Sequence, residues 1–423
     1  MKTLHDVVSC LSDYDPHALS VAQAQDIIAR CVEPVVAIEK VALRAALGRV
    51  LAADVVSPID VPAHDNSAMD GYAFAGRALR PDEPIALKIV GSAFAGAPCS
   101  SSVNAGECVR IMTGAVMPDG CDTVAPQEFC DVDGDRVVIP PSIKPGDNRR
   151  LRGEDLAVGK PAIEAGRVIR PAELGLAASL GLAELPVRRR LRVAFFSTGD
   201  ELRSLGETLG PGEVYDSNRY TLYGMLERLG CEPLDFGVVR DDPVALREAF
   251  RAAANCADAV ITSGGVSVGE ADHTKQIMAA LGDVVFWTIA MRPGRPMAFG
   301  RVGGEHGAVL FGLPGNPVAV MVTFYFFVRD ALLRMQGAAP SPLALLQARS
   351  ADAIRKKPGR TEYQRGVLAQ DADDGWSVRL TGQQGSGVLK SMSSGNCFVV
   401  LGHRQGPVAA GSMVDVLPFE GLV

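Results

Sequence analysis

The chain has 423 residues, more than one hydrophobic core can hold, so roughly three or four domains of about 100 to 150 residues are expected. Apolar residues make up 47% and charged residues 22%, ordinary values for a globular protein that exclude a disordered or fibrous chain. The net charge of −7 disfavours a polyanion such as DNA as the main partner, while a local basic pocket still suits a small anion. The 9 cysteines are scattered without a C-x-x-C pair, which suggests neither a disulfide framework nor a zinc ribbon. "MKTLHDVVSCLSDYD" breaks its apolar stretch with charges, unlike a signal peptide, and a cytoplasmic setting is expected.

In chain order, "SVAQAQDIIARCV" (20–32) reads as a helix with Ser20 and Gln23 as a capping box, and "LRAALGRVLAADV" (43–55) as a second helix. Proline, glycine and short apolar runs from about 55 to 150 predict β structure. Within them, "DNSAMDGYA" (65–73) crowds Asp65, Asn66, Ser67 and Asp70 around Met69, and "RIMTGAVMP" (110–118) feeds a strand into a turn at Thr113 and Gly114. "GDNRRLRGEDLAVG" (146–159) gathers Asp147, Arg149, Arg150, Arg152, Glu154 and Asp155, a mixture that reads first as a solvated loop.

From 191 to 336 apolar runs alternate with helical patterns. "RVAFFS" (192–197) precedes a helix capped by Asp216 or Ser217 with Leu222, Met225, Leu226 and Leu229 at helical spacing. "LDFGVV" is followed by Asp242 as N-cap, Pro243 as first helical residue, and Leu246, Ala249, Phe250 and Ala253 on one face. "DAVITS" and "GAVLFG" are further buried strands, and the rhythm predicts a parallel sheet covered on both faces. "PVAVMVTFYFFV" (317–328) is too short to span a bilayer before Arg329 and Asp330 interrupt it, so a buried helix is expected. "GAAPSP" (337–342) reads as a linker, and the tail as a small β domain. The expected division is a mixed unit of 1–45 with 156–190, a β-rich insertion 46–155, an α/β domain 191–336 and a C-terminal β domain 343–423.

Open α/β sheets bind ligands outside the carboxyl ends of their strands, and the polar clusters fall there: "STGDE", "VRDD", "TSGGVSVGEAD", "AMRPGRP" and "GLPGNP". In "TSGGVSVGEADHTK" (262–275) the glycines let backbone amides approach an anion. The segment has neither Walker nor G-x-G-x-x-G spacing, so a plain tight turn is the alternative, but Glu270, Asp272 and Lys275 exceed what a turn needs. Asp200, Glu201, Asp241 and Asp242 recur at the other strand ends. Carboxylates repel an anionic ligand unless a cation such as Mg²⁺ lies between, which implies a nucleotide or pyrophosphate-containing substrate, with helix capping the reading taken for Asp242 and an equal alternative for Asp200. Arg292 and Arg295 offer always-charged donors for an oxyanion, or else are solvated surface groups. Asn316 is placed to cap the buried helix.

With these segments in order, and with "YDSNR", "RPGRP", "LPGNP" and "GSGVLKSMSSGNC" beside them, the chain closely resembles the molybdopterin molybdenumtransferase family, which includes the C-terminal domain of gephyrin. The resemblance covers nearly the whole chain. It implies a multidomain fold: a central doubly wound three-layer α/β domain of the molybdopterin-binding type, a β-rich N-terminal insertion and a small C-terminal β-barrel-like domain. It implies that molybdate and adenylylated molybdopterin react with release of AMP, with Mg²⁺, in the final step of molybdenum cofactor synthesis.

By resemblance the adenylylated pterin lies along Thr198, Gly199, Asp200, Ser263, Gly264, Gly265, Val266, Ser267, Gly269 and Lys275, with Pro314, Gly315 and Asn316 beside it. Ser267, Glu201, Asp241 and Asp272 stand closest to the phosphoanhydride, Asp241 and Asp272 holding the metal, and Thr113 and Asp155 match positions important for activity. Molybdate falls to Arg292, Arg295, Pro296, Arg360 and Ser391. The family carries lysines where Arg292 and Arg295 stand, and often at Thr288, so the donor geometry of this pocket departs from the pattern. A homodimer is implied, with Asp65, Asn66, Ser67 and Asp70 presented to the partner's crevice and Met69 as the loop's apolar anchor; contact with the molybdopterin adenylyltransferase and with molybdoenzyme maturation proteins is also implied. Two other readings remain: a non-catalytic molybdopterin-binding scaffold, against which the retained acids speak, and a pyridine-nucleotide hydrolase on the same fold, against which "DNSAMDGYA" and the C-terminal β domain speak.

Overall fold

The computed structural model describes residues 4–9, 14–100, 102–266, 273–304, 307–340, 342–371 and 375–422. Near the N-terminus a helix spans Val21–Cys31, opened by the reciprocal Ser20–Gln23 capping box, and buries Ala24, Ile27, Ile28 and Cys31 on one face. The second expected helix does not form. Only Leu43–Ala46 makes a 3₁₀ turn, Gly48 then takes φ +73°, and Val50 and Leu51 bridge to Val168 and Val187. A left-handed glycine ends helical propagation, and the apolar side chains beyond it gain more by pairing across strands.

A six-stranded sheet follows in spatial order Thr123–Pro126, Gly71–Phe74, Glu107–Ile111, Ile85–Ala93, Arg136–Ile139, Asp131–Asp133. Its two faces carry separate small cores, one around Tyr72, Phe74, Leu87 and Val137, the other around Ala73, Val109, Ile111 and Val124. A further core joins residues 41–61 to 156–187 through Ala46, Leu51, Val55, Ile163, Ile169, Leu185 and Val187.

The central sheet contains β1 (Arg192–Thr198), which leads to α1 (Ser217–Arg228), β2 (Glu232–Val239), α2 (Pro243–Cys256), β3 (Ala259–Ser263), α3 (His273–Leu281), β4 (Gly282–Thr288), β5 (Pro296–Val302) and β6 (Ala308–Leu313). Its order is β2-β1-β3-β6-β5-β4. The sheet is not wholly parallel, which departs from the expectation: β5 runs antiparallel to both neighbours, because the segments that join it to β4 and to β6 are too short to carry a helix and turn the chain straight back. That reversal puts the start of β5 on the same edge as the carboxyl ends of the rest. Strand residues alternate between two cores. Val193, Phe195, Ile261 and Phe311 face α1 and the 317–335 helix, while Ala194, Phe196, Val260 and Leu310 face α2 and α3.

The expected buried helix runs from Pro317 to Met335, with a π turn at Phe324–Val328 between two α segments. No helix among the described residues is long and apolar enough to cross a membrane. The C-terminal strands are β7 (Leu346–Ser350), β8 (Thr361–Gln370), β9 (Trp376–Leu380), β10 (Cys397–Leu401) and β11 (Met413–Pro418). They pair as β8-β9-β7-β11-β10, and β10 returns to β8, closing a small barrel. The barrel is joined to the central sheet by Met291–Arg292, which pairs in parallel with β8.

Candidate active site

A cleft of about 1100 Å³ opens at the carboxyl edge of the central sheet and is roofed by the barrel. Thr198, Gly199 and Glu201 line it from β1, Asp241 from β2, and Ser263, Gly264, Gly265 and Val266 from β3. Arg292, Arg295 and Pro296 come from the turn between β4 and β5, Pro314, Gly315 and Asn316 from the end of β6, and Arg360 from the barrel. Ser267, Gly269, Glu270 and Asp272 lie outside the described residues.

The glycines at the end of β3 are dictated by geometry. Gly264 has φ +97° and a Cβ there would stand 2.5 Å from the Thr198 carbonyl; Gly265 has φ +68° and its Cβ would stand 2.6 Å from Thr274. The Gly264 N–H donates to Leu313 at 3.0 Å, so this amide serves the fold and is not available to an anion.

Asn218, a residue without a predicted role, knits the floor together. Its Nδ2 donates to Ser263 Oγ at 2.8 Å and to the Gly315 carbonyl at 2.7 Å, joining α1 to two strand ends. Asn316 occupies the N-cap position of the buried helix but makes no capping bond with its side chain, contrary to expectation. Asp242 caps α2 as expected, accepting from Val244 and Ala245. Asp200 accepts the Asp241 N–H at 3.3 Å and does not line the cleft. Lys275 also lies off the cleft, its ammonium 6.0 Å from the centre of the Phe286 ring.

The cationic wall has the most definite chemistry. Arg292 and Arg295 are exposed, and their side chains make no hydrogen bond or ion pair among the described residues. Arg360 uses only Nε, which donates to Glu362 at 2.9 Å. Three guanidinium groups with open donors on one cleft suit an oxyanion. Behind them Arg365, 1% exposed, donates to Ser391 Oγ and to the carbonyls of Gln383, Gln384 and Gly385. Burial, and then Arg292, pulls its pKa down to about 10. Ser391 is therefore buried under Arg365, whereas Ser386 lines the cleft and accepts from the Val318 N–H through its carbonyl. Arg365 carries no local pattern and is marked by its neighbours in space alone, whereas Ser386 lies within "GSGVLKSMSSGNC", where the expectation fell on Ser391 instead.

No described residue between 46 and 190 lines this cleft. The N-terminal candidates form a second cluster instead. Asp65 accepts the Arg152 N–H at 2.7 Å and pairs with Arg149. Asp70 accepts both the N–H and the hydroxyl of Thr113 at 2.7 Å. Ser67 is buried and donates to the Met69 carbonyl, Asn66 bridges to Val116, and Asp155 is exposed nearby, where its N–H donates to Val61. Met69 is 42% exposed and belongs to none of the hydrophobic cores among the described residues. Hydrogen bonds depress the Asp65 carboxyl below its ordinary value, the Arg152 N–H first and Arg149 second; for Asp70 both bonds come from Thr113.

Among the described residues no three His, Cys, Asp or Glu side chains gather into a metal cage. Glu201 and Asp241, at neighbouring strand ends of one cleft, still fit Mg²⁺, which takes one or two carboxylates and completes its shell with water and phosphate oxygens.

Three family models match the chain: the MoeA N-terminal region (domain I and II) at 19–181, the probable molybdopterin binding domain at 194–334, and the MoeA C-terminal region (domain IV) at 347–419. A protein of Haemophilus influenzae named molybdopterin molybdenumtransferase is 41% identical over 90% of this chain and 94% of its own length. One of the same name from a Nostoc species is 38% identical over 90% of this chain and 88% of its own. The crystal structure of the molybdopterin biosynthesis moeA protein from Pyrococcus horikoshii superposes with a TM-score of 0.81 at 27% identity, covering 95% of this chain and all of that one.

Proposed function

The chain belongs to the molybdopterin molybdenumtransferase family, and from that premise we propose that it transfers molybdenum from molybdate to adenylylated molybdopterin with release of AMP. The observation that carries this reading is the cleft itself, which three guanidinium groups with open donors line together with carboxylates at neighbouring strand ends. Arg292, Arg295 and Arg360 bind and orient molybdate, with Pro296 shaping that wall and the loop 384–387 closing over it. Ser391 acts from behind, through Arg365. Thr198, Gly199, Ser263 to Val266, and Pro314 to Asn316 hold the adenylylated pterin, and Ser267 and Gly269, which follow in sequence, are assigned to it as well.

Asp241 and Asp272 would hold Mg²⁺, with Glu201 beside them, and the cation would neutralise charge developing on the phosphoanhydride. Asp200 supports this edge through its bond to the Asp241 amide. The arginines fix molybdate while the strand-end groups hold the anhydride, and this lowers the entropic barrier to their reaction. The protein acts in the cytoplasm as a homodimer that receives its substrate from the molybdopterin adenylyltransferase and passes its product to molybdoenzyme maturation proteins.

Molybdate-dependent release of AMP from adenylylated molybdopterin tests this reading. Arg360→Ala is expected to raise the half-saturating molybdate concentration about tenfold, the equivalent of one charge-assisted hydrogen bond. Asp272→Asn is expected to keep its melting temperature and stop AMP release. AMP release independent of molybdate would overturn the assignment, and unaltered turnover would remove Asp272 from it.

A further inference from the structure

Arg360 reaches the cleft from the barrel, and two buried side chains of opposite charge fix it there. Lys356, 4% exposed, donates from Nζ to the carbonyls of Arg360 at 2.8 Å, Gln405 at 3.0 Å and Lys357 at 3.2 Å. An ammonium has three protons, so these bonds use all of them and leave none for a ligand. They tie the 356–360 turn to the 402–405 loop, and the Gly359 N–H adds a second tie to the His403 carbonyl at 2.9 Å. Burial lowers the Lys356 pKa below the ordinary value of 10.5, opposed by Glu362 and reinforced by Arg360, so the three groups share one field.

Glu362, 2% exposed, accepts from Arg360 Nε at 2.9 Å through Oε1 and from Gln364 Nε2 at 3.0 Å through Oε2. It also stands opposite Arg292 in the parallel pairing that joins the barrel to the central domain. A buried carboxylate beneath a cluster of arginines weakens their pull on an anion, and its desolvation costs free energy that packing alone does not return. Its geometry shows a compensating use. A guanidinium held at Nε presents its two terminal nitrogens outward as a fork, the arrangement that matches two oxygens of an oxyanion. Neither terminal nitrogen of Arg360 makes a hydrogen bond among the described residues.

We propose that Glu362 and Lys356 are positioning residues, the first orienting the Arg360 side chain and the second its backbone, so that the Arg360 fork is preset for a tetrahedral oxyanion. The proposal rests on the reading of this wall as the molybdate site. Neither residue touches the ligand; each acts through Arg360.

Calorimetric titration of sodium molybdate into the full-length protein tests it, with wild type, Glu362→Gln, Arg360→Ala and the double variant compared. Glu362→Gln keeps the side-chain size and one acceptor oxygen but removes the charge, and is expected to weaken molybdate binding about tenfold. The double variant is expected to bind no more weakly than Arg360→Ala alone, because the effect passes through Arg360. In turnover the KM for molybdate should rise more than kcat falls. Undiminished affinity in Glu362→Gln, or an equal loss in both backgrounds, overturns the positioning role. Wild-type affinity in Arg360→Ala, or no binding by wild type, overturns the oxyanion reading beneath it. Should Glu362→Gln fail to fold by circular dichroism, Lys356→Gln takes its place in the cycle with the same readings.

Discussion

Asp65 and Asp70 bind the 65–73 loop to its own chain before they can serve any ligand. Asp65 holds the 149–152 segment through Arg149 and the Arg152 amide, and Asp70 holds the Thr113 turn. Both carboxyls have folded-state pKa values below the ordinary 3.8, so their stabilisation is fully present above pH 3.8 and is lost as pH falls through the lowered values. Thermal melts of the wild type should therefore show a steeper fall in Tm below pH 3.8 than those of Asp65→Asn. The variant should melt lower at about pH 7, and the gap should narrow as the pH falls below 3.8. Equal acid limbs would show that these bonds add nothing to stability. The sequence made the acids visible but not their partners, since Asp65 and Arg149 are 84 residues apart.

At the scale of elements, the site depends on the segment that leaves each strand. The turn after β4 carries two of the three cleft arginines, Arg292 and Arg295, and Gly294 lets it pack on the buried helix: its φ is +91°, and a Cβ would stand 2.7 Å from Thr323 Cγ2. Gly294→Ala should destabilise the fold by about 1–3 kcal/mol, from left-handed strain and from the clash. By moving Arg292 and Arg295 it should also weaken molybdate binding. A melting curve and a molybdate titration check both, and a variant that matches wild type in both would show that the turn tolerates a side chain.

The alternation of strands and helices from 191 to 336 is legible in the sequence because apolar periodicity is a local property, and so are the N-caps at Ser20 and Asp242. The stretch 43–55 misleads because its alanines and leucines favour a helix while its fate is settled by Val168 and Val187, more than a hundred residues away. The antiparallel β5 is hidden for a related reason, since hydrophobic pattern records burial and carries no strand direction.

The whole molecule presents two clusters of candidate groups: the cleft at the sheet edge, and the patch of Asp65, Asp70, Thr113 and Asp155, none of which lines the cleft of the same chain. A homodimer in which one subunit's patch meets the other's cleft would unite them and would give the exposed Met69 an apolar contact. Mixing Asp65→Ala with Asp272→Ala subunits should then restore activity towards about a quarter of wild type, because one of the two shared sites in each mixed dimer is intact and mixed dimers form half of a random population. No recovery in dimers shown to exchange subunits would return the loop to a role within its own chain.

The sequence by itself determined the strand-helix rhythm, the glycine turns and the placing of acids and arginines at strand ends, because each follows from the chemistry of neighbouring residues. Tertiary structure alone decided that Ser386 rather than Ser391 lines the cleft, that Arg365 supports the wall from beneath, and that Glu362 steers Arg360. Those roles arise where the barrel closes against the central sheet through the pairing of Arg292 with Glu362. Buried charges take their meaning from partners brought together by folding, and no local pattern records such a meeting.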